Sequence, residues 1–182
     1  GHERDHLFLN LGGGKFEDLH GLSGLDDPSD GRTFSLLDYD RDGWVDLVLA
    51  SSNAPSLQLY RNRMGDFPSQ KGRTAPVLAL RFVGANHSAS PSQGKSPRDG
   101  TGVRVLVHAG DRKLLREQRS GEGRSAVNST TLLVGIGSAK FADRVEVFRP
   151  SGVKQVLEGP IATGTQLTFL EDPDSDAGGR VQ

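Results

Sequence analysis

The sequence predicts an all-β chain, and three observations carry that prediction. Short runs of Val, Leu, Phe and Thr recur between turn signals, Gly 24 and Pro 9 are numerous for 182 residues, and sustained helical periodicity is scarce. The length suits one ordinary domain or two small ones, and a hydrophobic content of 34% fits sandwiches, blades or barrels with much loop. With 22 Lys and Arg against 23 Asp and Glu, the net charge of −1 supplies no global basic field for nucleic acid or an anionic membrane. Cysteine is absent, which excludes a disulfide framework and thiolate zinc sites. No run approaches the ~18 apolar residues that a membrane span requires. The chain begins Gly-His, without Met or a signal-peptide pattern, so it is expected to be a fragment whose targeting segment lies outside it.

The elements follow in order. "LFLNLG" alternates Leu7, Leu9 and Leu11 with Phe8 and Asn10 and is expected as a strand. "GGGKFEDLHGLSGLDDPSDG" reads as turn and loop. "RTFSLLD" runs into an acidic loop, "WVDLVLAS" leaves it, and "LQLYRN" closes a small antiparallel unit with Leu57 and Leu59 on one face. The polar stretch around 63–76 marks a boundary. "VLALRFV" then points Leu78, Leu80 and Phe82 inward, while the nearly apolar-free segment 84–102 is expected to be disordered. "VRVLVHA", "TLLVGIG", "DRVEVFR", "VKQVLE" and "QLTFLE" supply further strands, with "HAGDRK" and "RPSGVK" as hairpin turns. "RKLLREQRS" has helix-favouring residues, but its hairpin approach favours a strand. The tail after 172 is expected to be loose.

The acidic loop is "DYDRDGWVDLVLAS", with Asp38, Asp40 and Asp42 at positions 1, 3 and 5, Gly43 at 6 and Asp46 at 9. Calcium takes six to eight hard oxygens at ~2.3–2.6 Å, and alternating carboxylates in a turn can converge on one ion. Gly43 permits the positive φ of a tight turn, and the Trp44 carbonyl offers a neutral ligand. An EF-hand is excluded because its closing glutamate position holds Leu49. A solvated Asp-Gly turn is the alternative reading. Four carboxylates with only Arg41 to offset them would repel each other, which favours a bound Ca²⁺.

"LFLNLGGGKFED…FSLLDYDRDGWVDLVLAS…LQLYRN" resembles the FG-GAP/VCBS repeat, the blade unit of integrin-like β-propellers. The resemblance implies a propeller-blade-like antiparallel unit whose D-x-D-x-D-G-x-x-D loop holds calcium through Asp38, Asp40, Asp42, the Trp44 carbonyl and Asp46. "RDGTGVRVLV", "RSGEGRSAVNSTTLLVGIGSA" and "DRVEVFRPSGVKQVL" resemble the ASPIC/UnbV domain, which follows such repeats in secreted proteins. Arg149 stands where that family usually has Trp, and "LLVGIG" lacks its His-Phe-Gly core. The expected organisation is a calcium-binding unit at 1–66, a linker at 67–76, a β-sandwich or barrel-like ASPIC/UnbV-like domain at 77–172 and a flexible tail at 173–182.

Other motifs carry less. "GEGRSA" does not follow a buried strand or open a helix, and "GGGK" lacks the spacing of a P-loop. The five histidines show no metal-ligand spacing in sequence, and Ser125 and Ser151 lack a nucleophile-elbow context. Asn86 and Asn128 head glycosylation triplets that matter only in a eukaryotic secretory source. The reading is a non-catalytic, calcium-stabilised binding or adhesion module that takes a protein or glycan ligand, without membrane insertion. The resemblance implies that it is secreted, periplasmic or at the cell surface. The alternative is an accessory domain of a larger enzyme or biosynthetic system. The apolar faces around Leu7, Leu9, Leu47, Leu49, Leu57 and Leu59 need a cover. The C-terminal domain is the expected one, with homodimerisation through a free strand edge as the alternative.

Overall fold

A computed structural model describes residues 3–67, 75–90, 92, 94–123 and 125–182. Its elements are β1 (Phe8–Gly12), β2 (Lys15–Asp18), the one-turn helix α1 (His20–Ser23), β3 (Gly31–Leu37), β4 (Asp46–Ser51) and β5 (Leu57–Tyr60). A 3-10 turn (Met64–Asp66) precedes β6 (Val77–Val83), β7 (Arg104–Ala109), β8 (Arg112–Glu117) and β9 (Thr131–Gly135). β10 (Phe141–Phe148), β11 (Lys154–Ala162), β12 (Gln166–Glu171) and β13 (Gly179–Val181) complete the chain. The expected all-β class is what the chain adopts. "RKLLRE" is indeed a strand, paired with β7 through a tight hairpin.

Two four-stranded sheets, ordered β11-β10-β7-β8 and β13-β12-β6-β9, share one core, and they form a sandwich rather than a closed barrel. Period-two alternation builds it. Leu78, Leu80 and Phe82 on β6, Val105 and Val107 on β7, and Val145 and Val147 on β10 all lie at 0–1% exposure. The alternate residue Arg81 on β6 points out and is exposed. Phe82 and Phe169 are partners in the β6–β12 ladder, and their rings meet with centroids 5.7 Å apart. That ladder is parallel, although the neighbouring pairs are antiparallel hairpins or ladders. Periodicity shows which face a residue takes; it does not show which strand lies alongside.

Arg149 fills a buried position at the sandwich edge. Its Nε donates to Gln155 Oε1 and its Nη2 to the Phe169 carbonyl, both at 2.8 Å. A guanidinium at 5% exposure is tolerated because fixed acceptors replace its water. Arg149 therefore occupies its place as a polar stitch where the resembled family has an indole.

Several expectations are corrected. "KFED" forms β2 against β1, and α1 follows it, within a segment read as loop. The described part of 84–102 is ordered by its own polar groups. Asn86 Nδ2 donates to the Ser92 and Lys95 carbonyls, and Ser96, fully buried, donates through Oγ and N to Glu171. The tail is not loose either: β13 pairs with β12, and Thr168 and Gln182 exchange two backbone hydrogen bonds. The linker at 67–76 lies mostly outside the described residues. The C-terminal sheets do not cover the apolar N-terminal faces: Leu9 is 46%, Leu57 68% and Leu59 51% exposed.

Candidate functional site

The acidic loop joins β3 to β4, and the ladder closes beneath it on the pair Leu37–Asp46. Asp46, the first residue of β4, is 1% exposed. Its Oδ2 accepts the Tyr39 N–H at 3.0 Å and its Oδ1 accepts the Asn62 N–H at 2.7 Å. One carboxylate thus ties the loop's entry to the chain leaving β5. Within the loop, Asp42 Oδ1 accepts the Trp44 N–H at 2.8 Å and Asp40 Oδ1 accepts the Asp42 N–H at 3.4 Å, the local side-chain-to-backbone pattern typical of aspartate in turns.

Gly43 is required here on two counts. Its φ is +86°, and a Cβ would stand 2.8 Å from the Ala75 Cβ, so the loop rests directly against the chain entering β6. The Gly43 N–H donates to Asp38 Oδ2 at 3.0 Å. The other oxygen, Asp38 Oδ1, is buried without a hydrogen-bond partner. Burial pushes the Asp38 carboxyl above its ordinary pKa, and the nearby charges of Asp42 and Asp46 push the same way against the Gly43 N–H.

Asp38, Asp40 and Asp42 each offer a carboxylate oxygen, all within 4.8 Å of one another. An all-oxygen donor set of this kind suits a hard cation such as Ca²⁺. An orphaned buried carboxylate oxygen on a member of such a cluster is what a cation would satisfy, so these residues fit the ion. Asp46 stands apart from the trio and is engaged with backbone, and Trp44 contributes its N–H to the loop while its indole lies against Gly65.

Sequence reading missed Arg61. Its Nε donates to Asp40 Oδ2 at 2.7 Å, and its Nη2 lies 3.4 Å from Asp42 Oδ2. It is a second cation at a loop whose charge was read as offset by Arg41 alone. The signal was its place at the end of "LQLYR", since β5 runs antiparallel to β4 and its end returns to the loop.

Between the loop and the outer face of β6 lies a cleft of about 640 Å³, with Asp38, Arg41, Arg81, Glu117, Arg119 and Asn128 on its walls. Asn128 also closes the outer edge of β3: its Oδ1 accepts the Leu36 N–H at 2.8 Å, and the Ser129 N–H reaches the Leu36 carbonyl. Both glycosylation triplets thus spend their asparagine amides on structure, Asn128 here and Asn86 in its own loop. Ser151 and Ser96 both bind Glu171 Oε1, a carboxylate whose other oxygen accepts two backbone N–H groups. The view of the histidines is corrected as well. His6 and His20 converge with Asp18, whereas His108 pairs with Glu146 at 2.9 Å.

Residues 93–176 match the family model described as ASPIC and UnbV, overlapping the expected 77–172 domain and running four residues into the expected tail. Cartilage acidic protein 1 of Mus musculus is 46% identical over 50 residues, covering 27% of this chain and 8% of that protein. The same protein of Xenopus tropicalis is 40% identical over 72 residues, covering 36% of this chain and 11% of that protein. The Homo sapiens protein is 46% identical over 50 residues. The alignments thus take in about a tenth of the length of these relatives.

Proposed function

We propose that the chain is a non-catalytic, extracytoplasmic binding or adhesion module stabilised by one Ca²⁺, with an FG-GAP/VCBS-like unit at 1–66 joined to an ASPIC/UnbV-like domain at 77–172. The observation that carries the metal reading is the buried, partnerless Asp38 Oδ1 inside a three-carboxylate cluster. Asp38, Asp40 and Asp42 would hold the ion. Asp46 and the Trp44 carbonyl are the further donors that the family pattern implies. When bound, the ion neutralises the cluster and cross-links the loop. The chain's own residues do the rest: Asp46 ties both loop ends, Gly43 seats the loop on Ala75, and Arg61 offsets charge from outside.

An extracytoplasmic place is supported by the relatives' name, which ties them to cartilage, and by the millimolar calcium that fills weak sites outside cells. Among the described residues, no helix is long and apolar enough to cross a membrane. The cleft beside the loop carries both charge signs and is the proposed seat of a protein or glycan ligand.

With Ca²⁺ at ~100-fold above its Kd, the folded state gains ~2.7 kcal/mol. Thermal melts in Ca²⁺ and in chelator should therefore differ, and Asp42→Ala should abolish the difference. Identical melts, with no calcium in the purified protein by elemental analysis, would remove the metal from the reading. A glycan and protein array run beside a hydrolase panel tests the rest, and turnover by the isolated chain would overturn a non-catalytic role.

A further inference from the structure

The β1–β2 hairpin brings together three residues that its sequence spreads over fifteen positions. Phe8 pairs with Asp18 in the ladder, so His6 and His20 are the opposed positions two residues further out. Period two places all of them on the same face, and diagonal neighbours across an antiparallel pair lie within side-chain reach. The Leu19 N–H donates to the Leu7 carbonyl at 2.7 Å and holds the two flanks together just where the ladder ends. The result is compact: His6 Nδ1 lies 2.6 Å from Asp18 Oδ2, and His20 Nδ1 lies 3.2 Å from the same oxygen. Ligand atoms of all three residues are within 4.8 Å of one another.

A simple His–Asp ion pair accounts for His6, but not for His20. The His20 Nδ1 is screened from solvent and has no partner in hydrogen-bond geometry, although Asp18 Oδ2 is close. The nitrogen therefore sits beside the carboxylate without an aligned bond. Meanwhile the surroundings fix each group. The His6 ring stacks on Phe8 at 5.8 Å and 10°, and Asp18 Oδ1 accepts the His20 N–H at 3.1 Å. The side chains are 50%, 29% and 40% exposed for His6, Asp18 and His20, so an ion can enter from solution.

We infer that His6, Asp18 and His20 form a second metal site, separate from the acidic loop, that takes a first-row divalent cation such as Zn²⁺. Two imidazoles and one carboxylate are borderline donors that suit zinc, whereas an all-oxygen loop suits calcium. Zinc bonds of ~2.0–2.2 Å in tetrahedral geometry place ligand atoms ~3.3–3.5 Å apart. The His20–Asp18 separation already approaches that spacing, and the shorter His6–Asp18 contact opens once its shared proton leaves, as metal binding requires. The fourth position stays open for water or for a donor from another molecule. Bound there, zinc would staple the hairpin to α1.

The test is competition of the full chain, in excess Ca²⁺, against a chromogenic zinc chelator, with circular dichroism to confirm folding. One Zn²⁺ per chain is expected, with affinity falling more than about tenfold in His20→Gln and in His6→Gln. His108→Gln and Asp42→Ala should bind zinc as the parent does. Co²⁺-loaded parent should show the visible bands of a four-coordinate ion, lost in His20→Gln. The inference is overturned if the parent fails to compete with the chelator, or if a folded His6→Gln/His20→Gln double variant binds zinc as tightly as the parent.

Discussion

Arg61 and Asp38 set the acidic loop's response to calcium and to pH. Arg61 bonds Asp40 Oδ2, one of the oxygens of the cluster, so in chelator it partly replaces a cation and in Ca²⁺ it competes with one. Arg61→Gln should lower the melting temperature in chelator and enlarge the rise that Ca²⁺ produces. An unchanged Ca²⁺ increment would mean that the guanidinium and the ion act independently. The Asp38 carboxyl has a raised pKa, so the folded, metal-free state holds its proton better than the unfolded chain does. That contribution is present at low pH and is lost as pH rises through the raised value. Glu146 behaves oppositely. Lys154, 2.6 Å away, and His108 hold its pKa at about 2 against an ordinary 4.5. Its stabilisation is present above ~4.5 and is lost as pH falls toward about 2. Urea titrations between those limits should therefore show falling stability in the parent and a shallower fall in Glu146→Gln. Equal slopes would show that the contact with Lys154 does not persist in solution.

Among the elements, β6, β7 and β10 were legible because a strand with one buried face writes its burial into alternate residues: Leu78, Leu80, Phe82; Val105, Val107; Val145, Val147. β2 and β13 were not, because "KFED" and "GRV" are short edge pieces whose pairing depends on a neighbour rather than on their own pattern. The described part of 85–97 was unreadable for a different reason. Its order comes from Asn86 and Ser96, polar residues whose partners Ser92, Lys95 and Glu171 give no periodic signal. The candidate site divides in the same way. The spacing of Asp38, Asp40 and Asp42 was visible in sequence, whereas the return of Arg61 to the loop and the opposition of His6 to His20 required the pairing register. Glu171 is the keystone of the 85–97 segment, since it accepts from Ala85 N, Ser96 N, and the Ser96 and Ser151 hydroxyls. Glu171→Leu strands the N–H of buried Ser96 and leaves its hydroxyl only Ser151, which costs ~1–3 kcal/mol for each buried donor left unpaired. In the parent, trypsin should spare Lys95 and Arg98, and in Glu171→Leu both should become early cleavage sites. Rapid cleavage at Lys95 in the parent would return this segment to a disordered loop.

At the scale of the whole molecule, burial is unevenly shared. Among the described residues, Leu49 is the one buried hydrophobic side chain before Ala75; the rest of the core belongs to the two packed sheets and the segments that lead into them. The three strands β3, β4 and β5 and the hairpin β1–β2 expose Phe8, Leu9, Phe34, Leu57 and Leu59, so little apolar burial offsets their ordering entropy. Among the described residues, this part meets the sandwich through Gly43 against Ala75, Leu36 with Asn128 and Ser129, and Ser35 Oγ, which donates to the Val127 carbonyl. These contacts bury little apolar surface, so the sandwich should not depend on them. In chelator, calorimetry of the chain should show two transitions, an early one from the N-terminal part and a later one from the sandwich. Ca²⁺ should raise the first and leave the second in place. Phe82→Ala, which empties the centre of the sandwich, should lower the second by ~3–5 kcal/mol. Leu57→Ser, on an exposed face, should leave both within about 0.5 kcal/mol. A single transition moved together by Asp42→Ala and Phe82→Ala would show instead that the Ala75 and Asn128 contacts bind the two parts into one cooperative unit. The acidic loop would then act through Gly43 on the stability of the entire chain.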